Sequence, residues 1–224
     1  MTPTPPAREP SDLATVRAAL ALGRAVVLPN PAPLTCVVAA TRPDAVNLAK
    51  QRPADQAVAL WAHHPDTYGA LTEHLDLDPD ALRLARRLLA EEHLTLLAPV
   101  RRPEEAPPWL APAVRDGWTL LFGARWEPLS GLLDDFPVLY VSSANRTGHE
   151  PAPGPAEALA MFPPEVPVLR SPAPDGPAAG RRAATTTVRL HPDGRLGLHR
   201  HGAQDRGFAD PEQYLARLRD GLRR

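Results

Sequence analysis

Apolar residues in this chain keep two rhythms. Leu13, Val16, Ala19 and Leu20 recur at helical spacing behind Ser11, and Gly23 closes the run, which predicts an amphipathic helix capped by Ser11. Short unbroken apolar runs then predict buried strands at 25–28, ending at Pro29, and at 34–40. Pro43 suits a first helical turn, and the helix is predicted through Lys50. A strand is predicted over 58–62. Residues 71–92 read as two helices divided near Asp78-Pro79. Strands follow at 94–98 and 118–124, then a short helix at 129–133. The apolar strand 138–142 runs straight into Ser143-Ala144-Asn145. A helix is predicted from Pro155 to Phe162. A hairpin of 186–190 and 195–200 turns at His191-Pro192-Asp193-Gly194, and Asp210 and Pro211 open a terminal helix through Leu222.

Some of these strands adjoin and others are separated by helices. That order predicts an α/β fold: one domain with a twisted mixed sheet, flanked by helices around a deep cleft. Ligands of such sheets gather at strand ends. The expected organisation is a flexible tail at 1–10, the main domain at 11–204, and a C-terminal helix at 205–224 packed on it.

Composition narrows the classes. At 224 residues the chain can bury a core without a metal or disulfide staple. Its 29 prolines cluster in the first ten residues and around 103–112, 151–155 and 163–177, which predicts three long surface connections beyond the tail. A net charge of −1 demands neither nucleic acid nor an anionic membrane, yet 25 cations against 26 acids leave room for a local basic face. Cys36 is the one cysteine, so no internal disulfide forms and a cytoplasmic location is expected. No membrane span and no signal peptide are expected. His63-His64 and His199/His201 lack convincing metal spacing, so no protein-held metal is expected.

Lys50 is the single lysine; every other basic side chain of the 25 is arginine. In Ala49-Lys50-Gln51-Arg52-Pro53, two cations sit where a helix gives way to a strand and can converge on an anion. Read from this segment alone, a solvated charge at a helix C-terminus is the simpler account. Ser143-Ala144-Asn145-Arg146-Thr147-Gly148, at a strand end, is a hydrogen-bonding cradle without bulk. Thr185-Thr186-Thr187 and Arg200-His201-Gly202 add hydroxyls and a cation at two further strand ends.

Taken in order, these pieces are specific. Val26-Val27-Leu28-Pro29, Lys50-Gln51-Arg52-Pro53, Leu94-Thr95-Leu96, Gly123-Ala124-Arg125, Ser143 to Gly148, Thr186-Thr187-Val188 and Arg200-His201-Gly202 together resemble the YrdC-like threonylcarbamoyl-AMP synthases. The resemblance covers roughly 12–204 and reverses the simpler account of Lys50. It implies that threonine, bicarbonate and ATP give threonylcarbamoyl-AMP and pyrophosphate, an intermediate for a tRNA adenosine modification. It also implies an adenine-nucleotide site in which Lys50 and Arg52 meet the phosphates and do the catalytic work. Arg125, Ser143, Asn145, Thr186 and Arg200 complete the nucleotide contacts, and Arg52 and Thr35 stand on the substrate side. ATP would be a substrate carrying its own Mg²⁺. tRNA or other tRNA-modification proteins would be partners.

The chain also departs from the family pattern. Pro29-Asn30-Pro31-Ala32-Pro33-Leu34-Thr35 replaces Pro-Thr-Asp-Thr-x-Tyr-Gly of the threonine pocket. Trp61, with His63 and His64 beyond, stands near a usual strand His. Glu91-Glu92-His93 replaces Pro-Gly-Pro. A site that has lost substrate-side polar groups discriminates poorly. Three readings follow: a divergent synthase, a nucleotide- or RNA-binding relative without synthase activity, and a carbamoyl-adenylate-using transferase.

Overall fold

The computed structural model describes residues 8–172 and 181–220. One mixed sheet organises them. Its strands are β1 (Val26–Leu28), β2 (Val37–Ala40), β3 (Ala59–Trp61), β4 (Thr95–Pro99), β5 (Val114–Arg115), β6 (Trp118–Phe122), β7 (Tyr140–Ser143), β8 (Thr187–Leu190) and β9 (Leu196–Arg200). They lie in the order β1-β2-β7-β3-β6-β4-β8-β9, with β5 pairing β6 off that path. β3 with β6 and β4 with β8 are parallel; the other ladders are antiparallel.

Alternation along the strands divides the apolar residues between two cores. Val27, Val38, Leu60, Leu96, Leu121 and Val188 face one core. There they meet α2 (Pro43–Ala49), α3 (Pro65–His74), α4 (Pro79–Ala90), α6 (Pro155–Met161) and α7 (Pro211–Asp220). Val26, Leu28, Val37, Ala39, Trp61 and Phe122 face the other, against α1 (Leu13–Ala21) and the short α5 (Ser130–Leu133). These two helices do not cover the whole second face. Leu97, Leu120 and Arg189 remain half-buried on it, and the cavity described below opens on this side.

Several local expectations shift for physical reasons. Asp12, not Ser11, caps α1 by accepting from the Thr15 N–H at 2.8 Å, while Ser11 bridges to Leu169. Residues 34–36 lead into β2 through an isolated bridge, so the strand begins only at Val37. α3 starts at Pro65, earlier than the apolar rhythm implied, because His64 caps it by accepting from Asp66 N–H. The division after it falls as expected, with Asp78 capping α4. Arg8, inside the expected tail, donates to the Phe162 carbonyl at 2.7 Å; residues 1–7 lie outside the described residues. α7 packs through Tyr214, Leu215 and Leu218, and Arg217 meets Glu92 at 2.6 Å.

Candidate functional site

A cavity of about 460 Å³ opens on the partly covered sheet face. Lys50, Arg52, Ser143, Asn145, Arg200 and Thr35 all line it, although they come from distant parts of the chain. Among the described residues, no Asp or Glu lines it. Three basic side chains, with no carboxylate among the described lining residues, make a localised positive field in a protein of net charge −1.

Lys50 ends α2 as its C-cap, where the chain turns toward the strand β3. Its Nζ donates to the Ser143 carbonyl and, at 2.8 Å, to Asn145 Oδ1. The Ser143 hydroxyl donates to the same Oδ1 at 2.7 Å. Asn145 is held in turn by donating from Nδ2 to the carbonyls of Arg146 and His149. The Ser-Ala-Asn turn is therefore a clamp on the lysine, and one of three ammonium N–H groups is left over for a ligand. Burial, with Arg52 and Arg200 adding repulsion, pulls the Lys50 amine down to about 7.

Arg52 is fixed from behind. Its Nε donates to Asn47 Oδ1 at 2.5 Å, and Asn47 is pinned by donating to the carbonyls of Ala54 and Gln56. The buried Nη2 of Arg52 has no hydrogen-bond partner. A buried unsatisfied donor on a cation costs about 1–3 kcal/mol. Arg200 has only a long contact, 3.4 Å, to the Thr185 carbonyl. Burial lowers both guanidinium pKa values from the ordinary arginine value.

Two expected site residues sit elsewhere. Thr186 is fully buried, and its hydroxyl donates to Asp205 at 2.5 Å and accepts from the Gln204 and Asp205 N–H groups. It shares a face with core-facing Val188, so Thr185 lines the cavity instead, its hydroxyl 2.5 Å from that of Thr95. Strict two-residue alternation in the triple-threonine run was the signal available in sequence. Arg125 is not among the lining residues either. It donates to the His63 carbonyl at 2.9 Å and pairs with Asp134 at 2.8 Å. Beside it the His63 ring is buried with neither nitrogen bonded, and burial, reinforced by the Arg125 charge, holds it down to about 4. Trp61 is a core residue whose Nε1 donates to the Ala124 carbonyl at 2.7 Å.

Other motif residues serve the frame. A Cβ on Gly202 would overlap the Thr185–Thr186 backbone, and one on Gly123 would overlap the backbone of Leu89. The cavity also takes Asn30, Gln56, Ser142 and Thr147, which single-motif reasoning did not select for the site. The loop after β1 is closed on itself. Asn30 Nδ2 donates to the Thr35 carbonyl at 2.9 Å, and Arg182 donates to the carbonyls of Asn30 and Leu34 at 3.0 and 2.7 Å. Among the described residues, no three His, Cys, Asp or Glu side chains cluster as a metal site, and no helix is long and apolar enough to cross a membrane.

No protein-family model and no curated protein matches the sequence. Solved structures do. Sua5 of P. abyssi, solved with L-threonine, superposes with a TM-score of 0.62 at 17% identity, over 84% of this chain and 53% of that one. E. coli YciO gives 0.62 at 17% identity, over 85% and 89%. A full-length HypF in a phosphate- and nucleotide-bound form gives 0.62 at 13% identity, over 88% and 30%. The chain has the YrdC-like fold. It spans about half of that Sua5 chain, under a third of that HypF, and most of YciO. Within this fold, Lys50, Arg52, Ser143 and Asn145 line one cavity, and Lys50, Ser143 and Asn145 are joined by hydrogen bonds.

Proposed function

We propose that the cavity binds the phosphates of an adenine nucleotide, and that the chain is a divergent threonylcarbamoyl-AMP synthase-like protein with little selectivity for threonine. The observation that carries this reading is the convergence of Lys50, Arg52 and Arg200 on a cavity that no carboxylate lines among the described residues. The two guanidiniums suit phosphate oxygens bidentately and Lys50 adds a point charge. The Thr95 and Thr185 hydroxyls, paired with each other at 2.5 Å, line the same cavity and would add hydrogen bonds to a ribose or phosphate oxygen. In adenylate formation a carboxylate attacks the α-phosphorus and pyrophosphate leaves. That step needs positioning and charge neutralisation, which such a wall supplies.

The amino-acid side has less to offer. Asn30 and Leu34 stand where polar threonine contacts are expected, and Asn30 already donates to its own loop. This favours a nucleotide-binding protein with weak or absent synthase activity over a full synthase. tRNA remains the partner class that the synthase reading implies.

The test is calorimetry of ATP, AMP and threonine against the whole chain, beside pyrophosphate release with threonine and bicarbonate. ATP is expected to bind, and Arg52→Gln to weaken it by about ten- to a hundredfold, the worth of one charge-assisted contact. Robust threonine-dependent pyrophosphate release would overturn the weak-synthase part. No nucleotide binding would overturn the phosphate part.

A further inference from the structure

Lys50 is the only primary amine among the side chains of this protein, and it sits in the cavity instead of on the surface. Arginine supplies charge as well as lysine does, and elsewhere in this chain it always does so. What lysine adds is a nitrogen that can lose its proton and become a nucleophile. We propose that Lys50 is a carbon dioxide site, at which its Nζ forms a carbamate that Arg52 and Arg200 hold.

The step balances without a further reagent. The Nζ lone pair attacks the carbon of CO₂ and a new N–C bond forms. One C=O π pair moves onto oxygen, and an N–H proton leaves to solvent. The product keeps one N–H and gains a planar carboxylate.

The surroundings suit each part. The retained N–H has Asn145 Oδ1 and the Ser143 carbonyl as acceptors already in place. The new carboxylate is planar and anionic, which matches a guanidinium fork. Arg52 lines the same cavity with only its Nε bonded to protein, and Arg200 lines it with only one long contact. Among the described residues, no Asp or Glu lines the cavity to repel the product. With the amine held at about 7, its neutral fraction at neutral pH is on the order of a thousandfold above that of an ordinary lysine.

The step needs no nucleotide, so it stands or falls apart from the proposed function. Where phosphate does bind, the carbamate opposes it, because the cation has become an anion. Dissolved CO₂ would then set how much of the cavity is open to a phosphate ligand.

The experiment uses the whole chain with ¹³C-bicarbonate and no nucleotide. Carbon-13 NMR is expected to show a carbamate resonance that Lys50→Arg removes. Trapping with triethyloxonium and mass spectrometry are expected to place the label on Lys50, with at least tenfold less in urea. Arg200→Gln is expected to lower occupancy severalfold while its circular dichroism stays that of the wild type. Superimposable carbamate regions for the wild type and Lys50→Arg would overturn the proposal. So would equal labelling of Lys50 in the folded and urea-unfolded chain.

Discussion

Two walls of the same cavity are built on opposite terms. On the side lined by Lys50, Arg52 and Arg200, basic side chains are held under burial, and one buried guanidinium nitrogen has no partner. On the wall formed by the 29–35 loop, Asn30 and the Leu34 carbonyl are tied to their own loop and to Arg182. The first arrangement is costly in an empty protein and gains from an anion. The second is closed and has little left to offer a ligand. The difference separates a wall kept for recognition from one that has become structure, and it points to phosphate chemistry over amino-acid selection.

The largest expected effect breaks the frame of the cationic wall. Gly202 follows Arg200 at closest approach to the Thr185–Thr186 backbone, so an added methyl must move main chain. Gly202→Ala is expected to cost about 3 kcal/mol, at the upper end for overpacking. Urea unfolding measures it. A loss below about 0.5 kcal/mol, the range of an ordinary surface change, would show that this approach is not tight.

Next is the cost of the wall itself. Folding lowers the Lys50 amine to about 7. The unfolded chain, with an ordinary lysine near 10.4, therefore binds an extra proton between these values. Stability from this group rises with pH across that window, and the penalty is fully present below pH 7. At about 1.4 kcal/mol per unit the penalty is a few kcal/mol, of which about 1–3 is returned when Ser143 and Asn145 lose a donor. Lys50→Met is expected to stabilise the ligand-free protein by about 2 kcal/mol at pH 7 in CO₂-free buffer, with the gain shrinking toward pH 10. Chemical denaturation at several pH values tests this. A Met variant less stable than the wild type at pH 7 would mean that the buried ammonium is well compensated without a ligand.

The contrast between the walls also marks what sequence could disclose. The succession of strands and helices along the chain followed from the apolar runs, and the meeting of Lys50 with Asn145 was expected only from the resemblance that the motifs carry together. Those runs fix which segments are buried, and so where the polar ends must emerge. Side-chain direction did not follow from motif identity. Thr186 carries the hydroxyl named by the motif, yet faces Asp205, because alternation puts it with Val188. Arg125 ends a strand region with the right residue type, but Asp134 lies within 2.8 Å and takes its charge. Such pairing is tertiary, and nothing near Arg125 in sequence announces it. The closed loop could be read only as the loss of polar groups. Its bonds to Arg182 join residues about 150 positions apart.

The smallest expected effect sharpens the comparison most directly. Asn30 lines the cavity, yet its carboxamide serves the loop by donating to the buried Thr35 carbonyl. Removing that donor should cost one net hydrogen bond, about 1 kcal/mol. In a chain of this size that corresponds to about 2–4 °C in melting temperature. If this wall is structure alone, Asn30→Ala should leave ATP affinity within about twofold, since a hydrogen bond absent from the complex contributes nothing to its stability. Arg52→Gln, among the basic residues of the cavity, carries the opposite expectation: a large loss of affinity through a contact made to the ligand. Melting and calorimetry on both variants separate the two walls. A tenfold loss of affinity in Asn30→Ala, with only a small drop in melting temperature, would mean that the loop turns its carboxamide to the ligand on binding. The two walls would then recognise it together.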